Sequence, residues 1–325
     1  MKYRVLIIGA GNIASGYDDV DSDMFLTHAH AFKRHDGFEL LGFVDIDKKK
    51  ANTAAKKWGT NAFFTLESAI QKFQYIDIYC IAVPDVFHFE ILLKVAGLKP
   101  KFVFAEKPLT QTLSESLKIK NVYSLNKIPI MVNFKRAFIP EFKFLEYEIK
   151  NNSFGKLTDF YGFYNRGLKH NASHLFDLFF RLTGEKDLIL TQFIDQINDY
   201  SSSDLSYSFH AKSNSGVNFN LKSFNGNEYP IFELDFHFSA GRIRVINAGE
   251  IIEKYIKQPS SFKGLSTIKL SESIVTSLNK SFIYSIQNIY NHLTTGEKVV
   301  SDIDDSILVM GVTEKIIKSI KKKYV

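Results

Sequence analysis

Cysteine is almost absent from this chain of 325 residues: the single one, Cys80, lies in the apolar run Ile76 to Val83. No disulfide can form within the chain and no cysteine-ligated metal site can be built, so a small buried side chain is the expectation. Long hydrophobic runs are absent as well. No stretch approaches the roughly 20 apolar residues that a membrane helix needs. Met1-Lys2-Tyr3 leads directly into an apolar strand without a signal-peptide pattern, so no membrane association and a cytoplasmic location are expected. Nor is charge of one sign concentrated anywhere. The formal net charge is +6, but the excess is scattered or terminal, as in Lys48-Lys49-Lys50 and Lys321-Lys322-Lys323, without interleaved aromatics. Nucleic-acid binding is therefore unsupported, while the sign suits a phosphorylated or nucleotide-linked small substrate. What is present, 45% hydrophobic and 23% charged residues over a length sufficient for two domains, is the make-up of a globular protein.

The informative stretch is Lys2-Tyr-Arg-Val-Leu-Ile-Ile-Gly-Ala-Gly-Asn-Ile-Ala14. A β-branched, apolar run breaking into Gly9-Ala-Gly11 reads as a buried parallel strand ending in a tight turn. Gly9 lets the chain reverse, Gly11 leaves room for a pyrophosphate, and Ala14 is small enough for close helix packing. The amides that open the next helix, at Asn12 and Ile13, then face the phosphates. Such a turn also occurs where nothing binds, so the motif gains weight from the alternating strands and helices downstream of it. Ser15 to Met24 is acidic and without helical period; it reads as a mobile, solvated loop inserted before a helix carrying His28, His30 and Phe32. Its aspartates lack the spacing, turn glycine and closing glutamate of a calcium loop.

Phe38 to Asp45 is the second strand and ends on a carboxylate. At this place an acidic side chain accepts from the adenosine ribose hydroxyls and repels a 2′-phosphate. Asp45 follows Gly11 by 34 residues, beyond the usual spacing of about 20, and the inserted loop accounts for the excess. NAD is favoured over NADP, although Lys48 to Lys50 could partly rescue a 2′-phosphate, and an ordinary strand-end aspartate stays open. Helix, strand and helix then alternate through Lys49–Trp58, Ala62–Phe64 and Leu66–Phe73, with further strands at Ile76–Val83 and Phe102–Ala105. This pattern predicts a doubly wound parallel sheet with helices on both faces, an α/β Rossmann domain over residues 1–132. Pro84 to His88 and Glu106-Lys107-Pro108 lie at strand carboxyl ends and should line one crevice with the glycine turn.

Taken together, Gly9-Ala-Gly-Asn-Ile-Ala14, Val44-Asp45, Ile81-Ala-Val-Pro84 followed by His88, and Glu106-Lys107-Pro108 closely resemble the glucose-fructose oxidoreductase/inositol dehydrogenase family, Gfo/Idh/MocA. The resemblance continues through Asn133-Phe-Lys-Arg136 with Pro140, Gly155-Lys156 and His174-Leu-Phe-Asp177, and so covers nearly the whole chain. It implies hydride transfer between a sugar-type hydroxyl carbon and nicotinamide C4, with one protein group exchanging the hydroxyl proton. It places that role on Lys107, oriented by Glu106. By itself the tripeptide would read as a charged surface turn. Gly9, Gly11, Asn12, Ile13, Asp45, Pro84, His88, Glu106 and Lys107 are the implied cofactor contacts.

Arg166 to Asp177 forms a second constellation. Ser173 reads as the cap of a helix burying Leu175, Leu178 and Phe179. His170 and His174 stand four apart, but with no third ligand and no H-E-x-x-H glutamate a metal is not expected. By the resemblance His174 is the partner acid/base. His170 stands where an aspartate is common, which removes a carboxylate that could hold His174 in one charge state. Arg136, Lys169, His170 and Asn171 become the substrate-contact candidates, with a purely structural helix-cap cluster as the alternative.

From residue 133 to 325 a second domain is expected, with Asn133 to Pro140 as hinge and a helix over Phe142–Lys150. Its seven strands, alternating most clearly in Val217–Phe224 and Phe232–Phe238, make an α+β domain with an open, mainly antiparallel sheet. Asn225-Gly226 and Ala240-Gly241 signal hairpin turns. Pro259 to Thr276 reads as a polar loop, and amphipathic helices follow. The many Phe and Tyr on the strands predict a homo-oligomer through this sheet. The primary functional reading is an NAD-dependent oxidoreductase of a sugar, amino sugar, or phosphorylated or nucleotide-linked sugar, in surface polysaccharide assembly. The alternatives are a redox-neutral NAD-dependent glycosidase and a non-catalytic, sugar-responsive regulator that binds dinucleotide.

Overall fold

The computed structural model describes residues 2–324. Contacts divide the chain into two compact units. The first takes the chain up to Phe138 together with Asn279–Ile307, and the second takes Ile139–Leu278 together with the chain from Leu308 onward.

The first unit opens with β1 (Tyr3–Ile8), α1 (His28–Arg34), β2 (Phe38–Val44), α2 (Lys48–Trp58), β3 (Asn61–Phe63) and α3 (Leu66–Lys72). It continues with β4 (Ile78–Ile81), α4 (His88–Gly97), β5 (Phe102–Ala105), α5 (Leu113–Leu125) and β6 (Ile130–Val132). The strands form one six-stranded sheet in the order β3-β2-β1-β4-β5-β6, parallel throughout. Val5, Ile7, Ile78, Cys80, Phe102 and Phe104 are fully buried, as strands covered on both faces must be. The helices carry their own stop and start chemistry. Asp47 accepts from Lys49 N and Lys50 N at the head of α2, and Thr112 and Glu115 cap α5 reciprocally. Successive strands step outward from β1 to β3 and the chain then returns to the far side of β1 as β4. That reversal opens a crevice beyond the carboxyl ends of β1 and β4, where ligands of such sheets bind.

The helix of the glycine motif is cut to one turn, Asn12–Gly16. The inserted loop after it is not the solvated segment expected from its composition. Asp18 is buried and accepts from Leu26 N (2.6 Å), Thr27 Oγ1 (2.5 Å) and His30 Nδ1 (2.9 Å). His30 in turn stacks on Phe25 with ring centroids 4.5 Å apart. One aspartate thus ties the insertion to α1, while Asp19 and Asp21 remain exposed.

The second unit contains α6 (Pro140–Lys150), β7 (Leu157–Tyr164), α7 (Ala172–Thr183), β8 (Leu188–Ser201), β9 (Asp204–Ser213) and β10 (Asn218–Ser223). After these come β11 (Phe232–Phe238), β12 (Gly241–Ile246), β13 (Ile251–Pro259) and β14 (Ser266–Val275). The eight strands are ordered β14-β13-β12-β11-β7-β10-β9-β8 and are antiparallel except for β7 with β10. Two expectations about the sheet fail in this unit. Asn225-Gly226 does not close a hairpin: β7 lies between β10 and β11, so the turn serves a crossing connection. Most of Pro259–Thr276 is β14, paired antiparallel with β13; its polarity is that of an edge strand exposed almost along its whole length. Phe160, Phe219 and Phe236 turn inward. Phe160 of β7 packs at 4.7 Å from both Phe219 and Phe179, the latter on α7, and at 4.9 Å from Phe236. The opposite face carries Tyr161, Glu233, His237 and the Asp235–Arg242 and Glu253–Arg244 pairs, so it is polar rather than apolar.

Two helices end the chain, α8 (Ser281–Thr295) and α9 (Ile303–Tyr324). Phe282, Ile286 and Ile289 of α8 complete the core around Phe32, Phe38 and Phe104, which is why residues 279–307 group with the first unit. No helix among the described residues is long and apolar enough to cross a membrane.

Candidate functional site

Gly9 takes φ +105°, and a β-carbon there would stand 2.3 Å from the carbonyl oxygen of Ala82. Only glycine allows β1 to turn this close to the end of β4. Gly11 differs: an added β-carbon would meet nothing within 4 Å, so the backbone faces open space. Ala14 is fully buried in the first unit's core. Asp45 closes the turn from the side, its Oδ2 accepting from Ala10 N at 2.8 Å and its Oδ1 from Asp47 N at 2.9 Å. A carboxylate held at the end of β2, beside a glycine turn with free room before it, fits the ribose and pyrophosphate of a dinucleotide.

At the ends of β4 and β5 the residues are less equal than the sequence made them. Pro84 is exposed. His88 is buried, with Nδ1 2.8 Å from Pro108 O and Nε2 2.9 Å from Val83 O. Its ring therefore ties the loop after β4 to the loop after Lys107, and its polar atoms are taken up by backbone. Glu106 is mostly buried. Its Oε1 lies 2.8 Å from Nε2 of His28 and 2.7 Å from Nδ2 of Asn133. Burial works against its charge, but the His28 and Asn133 bonds and the neighbouring Lys107 outweigh it and hold the carboxyl below the usual glutamate range. Burial and the Glu106 charge push the Cys80 thiol well up, so it stays neutral. Lys107 is half-buried, and Arg136 is buried in the short turn Lys135–Phe138.

In the second unit Lys169, His170 and Asn171 sit on one helical turn, Gly167–Asn171, leading into α7 with His174 and Asp177. Ser173 is not the cap. The helix starts one residue earlier, and Ser173 Oγ donates back to His170 O at 3.2 Å. Asp204 of β9 fixes this turn, accepting from Lys169 N (2.9 Å) and His170 N (2.8 Å). Asp199 accepts from Arg166 N at 2.6 Å and from Gly226 N at 3.1 Å. The His170 ring stacks on Tyr200 at 4.3 Å, Asn171 donates to Asn165 O at 2.9 Å, and Asp177 accepts from Arg181 at 3.0 Å. Asp199 and Asp204 were invisible in the sequence because they hold the turn from more than thirty positions away. His28 and Asn133 had a weak signal: a histidine among Ala29, Ala31 and Phe32 on an apolar helix needs a buried partner. No group of His, Cys, Asp and Glu among the described residues could hold a metal ion.

A sequence model of the oxidoreductase family with NAD-binding Rossmann fold matches residues 3–134. Inositol 2-dehydrogenase of Corynebacterium glutamicum is 33% identical over 174 residues, which are 52% of this chain and 46% of that protein. The chain thus matches about half the length of this curated relative. Among solved structures, an oxidoreductase of Agrobacterium radiobacter in complex with NAD+, L-tartaric acid and magnesium superposes with a TM-score of 0.77 at 15% identity, over 98% of this chain and 96% of that one. UDP-N-acetylglucosamine 3-dehydrogenase of Acidithiobacillus ferrooxidans superposes with a TM-score of 0.74 at 15% identity, over 97% and 96%. At such identities these two structures establish the fold alone. With the parallel sheet, the glycine turn and the strand-end Asp45, the sequence match shows that residues 3–134 are similar to the NAD-binding Rossmann fold of the Gfo/Idh/MocA oxidoreductase family.

Proposed function

We propose that the protein is an NAD-dependent oxidoreductase that moves a hydride between the nicotinamide and a hydroxyl or keto carbon of a sugar, amino sugar or sugar derivative. The observation that carries this reading is the clamp of Asp45 on the glycine turn, with open space in front of Gly11. Both Asp45 oxygens are fixed by backbone N–H groups, so the charge cannot swing away from a 2′-phosphate; this favours NAD over NADP. When bound, the nicotinamide supplies the hydride acceptor or donor at C4. The protein's part is the proton: Lys107 Nζ takes it from or returns it to the substrate oxygen, and His174 is proposed as its partner acid/base. Arg136, Lys169, His170 and Asn171 are proposed to hold the sugar.

The names of the inositol and UDP-N-acetylglucosamine dehydrogenases point to cyclic polyols and nucleotide-linked amino sugars as the substrate class. The +6 charge favours the phosphorylated or nucleotide-linked forms, with surface polysaccharide assembly as the setting and the cytoplasm as the place. The polar outer face of the large sheet, with its ion pairs, is the proposed contact of a homo-oligomer. The test is NADH formation over a panel of inositols, sugars, sugar phosphates and nucleotide sugars. Lys107→Ala is expected to lower kcat about 10²–10⁴-fold with the best substrate, the range of a lost acid/base group. Full turnover by that variant would refute the assignment.

A further inference from the structure

We propose that His28 and Asn133 are positioning residues for Lys107: they clamp the Glu106 carboxylate beside it and so set the proton affinity of its amine. The inference rests on the proton-transfer role proposed for Lys107. Both donors converge on one oxygen, Oε1, at 2.8 Å and 2.7 Å. His28 is fully buried, its ring edge-on to Phe104 and Phe282 with centroids 4.8 Å away in each case. Its Nδ1 has no hydrogen-bond partner among the described residues. With Nδ1 set in an apolar wall, Nε2 is the ring nitrogen that donates to the carboxylate. Asn133 is placed by its own backbone, whose N–H donates to Ala105 O at 2.9 Å.

The charged and titratable groups that act on Glu106 are then His28 from α1, Cys80 from β4 and Lys107 next in sequence. His28 and Lys107 both favour the Glu106 carboxylate electrostatically, and Cys80 is a neutral thiol. The clamp has a direct consequence. With both donors in place the carboxylate is fixed beside Lys107, which keeps its proton more tightly; without one of them the carboxylate can swing away, the amine feels less of its charge, and Lys107 releases its proton at lower pH. The lysine's titration should therefore follow a residue 79 positions away in sequence.

The test is NMR titration of the full-length protein with 13C-methylated lysines, the Lys107 signal being assigned by its loss in Lys107→Arg. In His28→Leu the pKa of Lys107 is expected to fall by about one unit, the scale of a neighbouring charge. In His28→Gln, whose amide can donate from nearly the same place, it should stay near the parent value although the packing against Phe104 and Phe282 is lost in both. The pH limb of kcat with the best substrate should move with it. Equal shifts in the Leu and Gln variants, or no shift in His28→Leu, would overturn the proposal. Asn133→Leu removes the second donor and should shift Lys107 the same way, so it decides the matter if His28→Leu does not fold. Failure of the wild type to bind NAD would refute the proposed function instead, since the Lys107 titration is read without cofactor.

Discussion

Gly9 and Gly11, two residues apart, are glycine for different reasons, and substitution separates them. Gly9→Ala forces a side chain into φ +105° and against Ala82 O, and should cost about 2–4 kcal/mol of stability in urea unfolding, from backbone strain and the clash together. Gly11→Ala meets nothing within 4 Å and should leave the midpoint nearly unchanged, yet weaken NAD about tenfold or more, or about 1.4 kcal/mol, by filling the space of the pyrophosphate. Equal stability losses in the two variants would mean that the turn is merely structural. Glu106 gives a pH prediction. Its carboxyl is held below the usual value of 4.5, so its contribution to stability is complete above that pH and is lost as pH falls through the lower folded value. The stability of Glu106→Gln should accordingly fall less steeply with pH below that range than that of the parent, as read by urea unfolding at successive pH values. At this scale the sequence was legible where the motif is local. The glycine turn and Asp45 could be read directly, whereas the burial of Asp18 could not, because it depends on His30 and Phe25 closing over it.

At the scale of elements, the turn Gly167–Asn171 is the case in which local pattern and observed support part company. The candidate substrate contacts Lys169, His170 and Asn171 are contiguous, so the sequence could single them out. The carboxylates that shape their backbone come from the β8–β9 hairpin. Asp204→Ala frees two backbone donors at once and should raise KM about tenfold, equivalent to about 1.4 kcal/mol, with a smaller change in kcat; an unchanged KM would show that the turn keeps its shape alone. The misread elements have a common cause. Alternation identifies a strand with one buried face, but β14 is an edge strand exposed on nearly every residue and has little alternation of burial to report. Asn225-Gly226 has the composition of a hairpin turn, yet only the pairing of β7 with β10 decides that its flanking strands are not neighbours.

For the whole molecule, fold class was legible because two periods divide the chain: strand–helix alternation up to β6 and strand after strand beyond α7. The return of residues 279–307 to the first unit was not, since an amphipathic helix shows that it has a buried face without showing which core receives it. The quaternary expectation changes its basis: Phe160, Phe219 and Phe236 pack against Phe179 of α7, so assembly through the large sheet would join largely polar, ion-paired faces. Sedimentation at low and high salt should then show an oligomer that weakens as salt screens these pairs; a monomer at both would exclude it.

The most direct test of the account is calorimetric titration of the purified protein with NAD and with NADP, in the wild type and in Gly11→Val. Saturable binding of NAD in preference to NADP, lost in a variant that remains folded, is the predicted result. Absence of binding by the wild type, or equal binding by the variant, would contradict the claim that the opening glycine turn holds a dinucleotide.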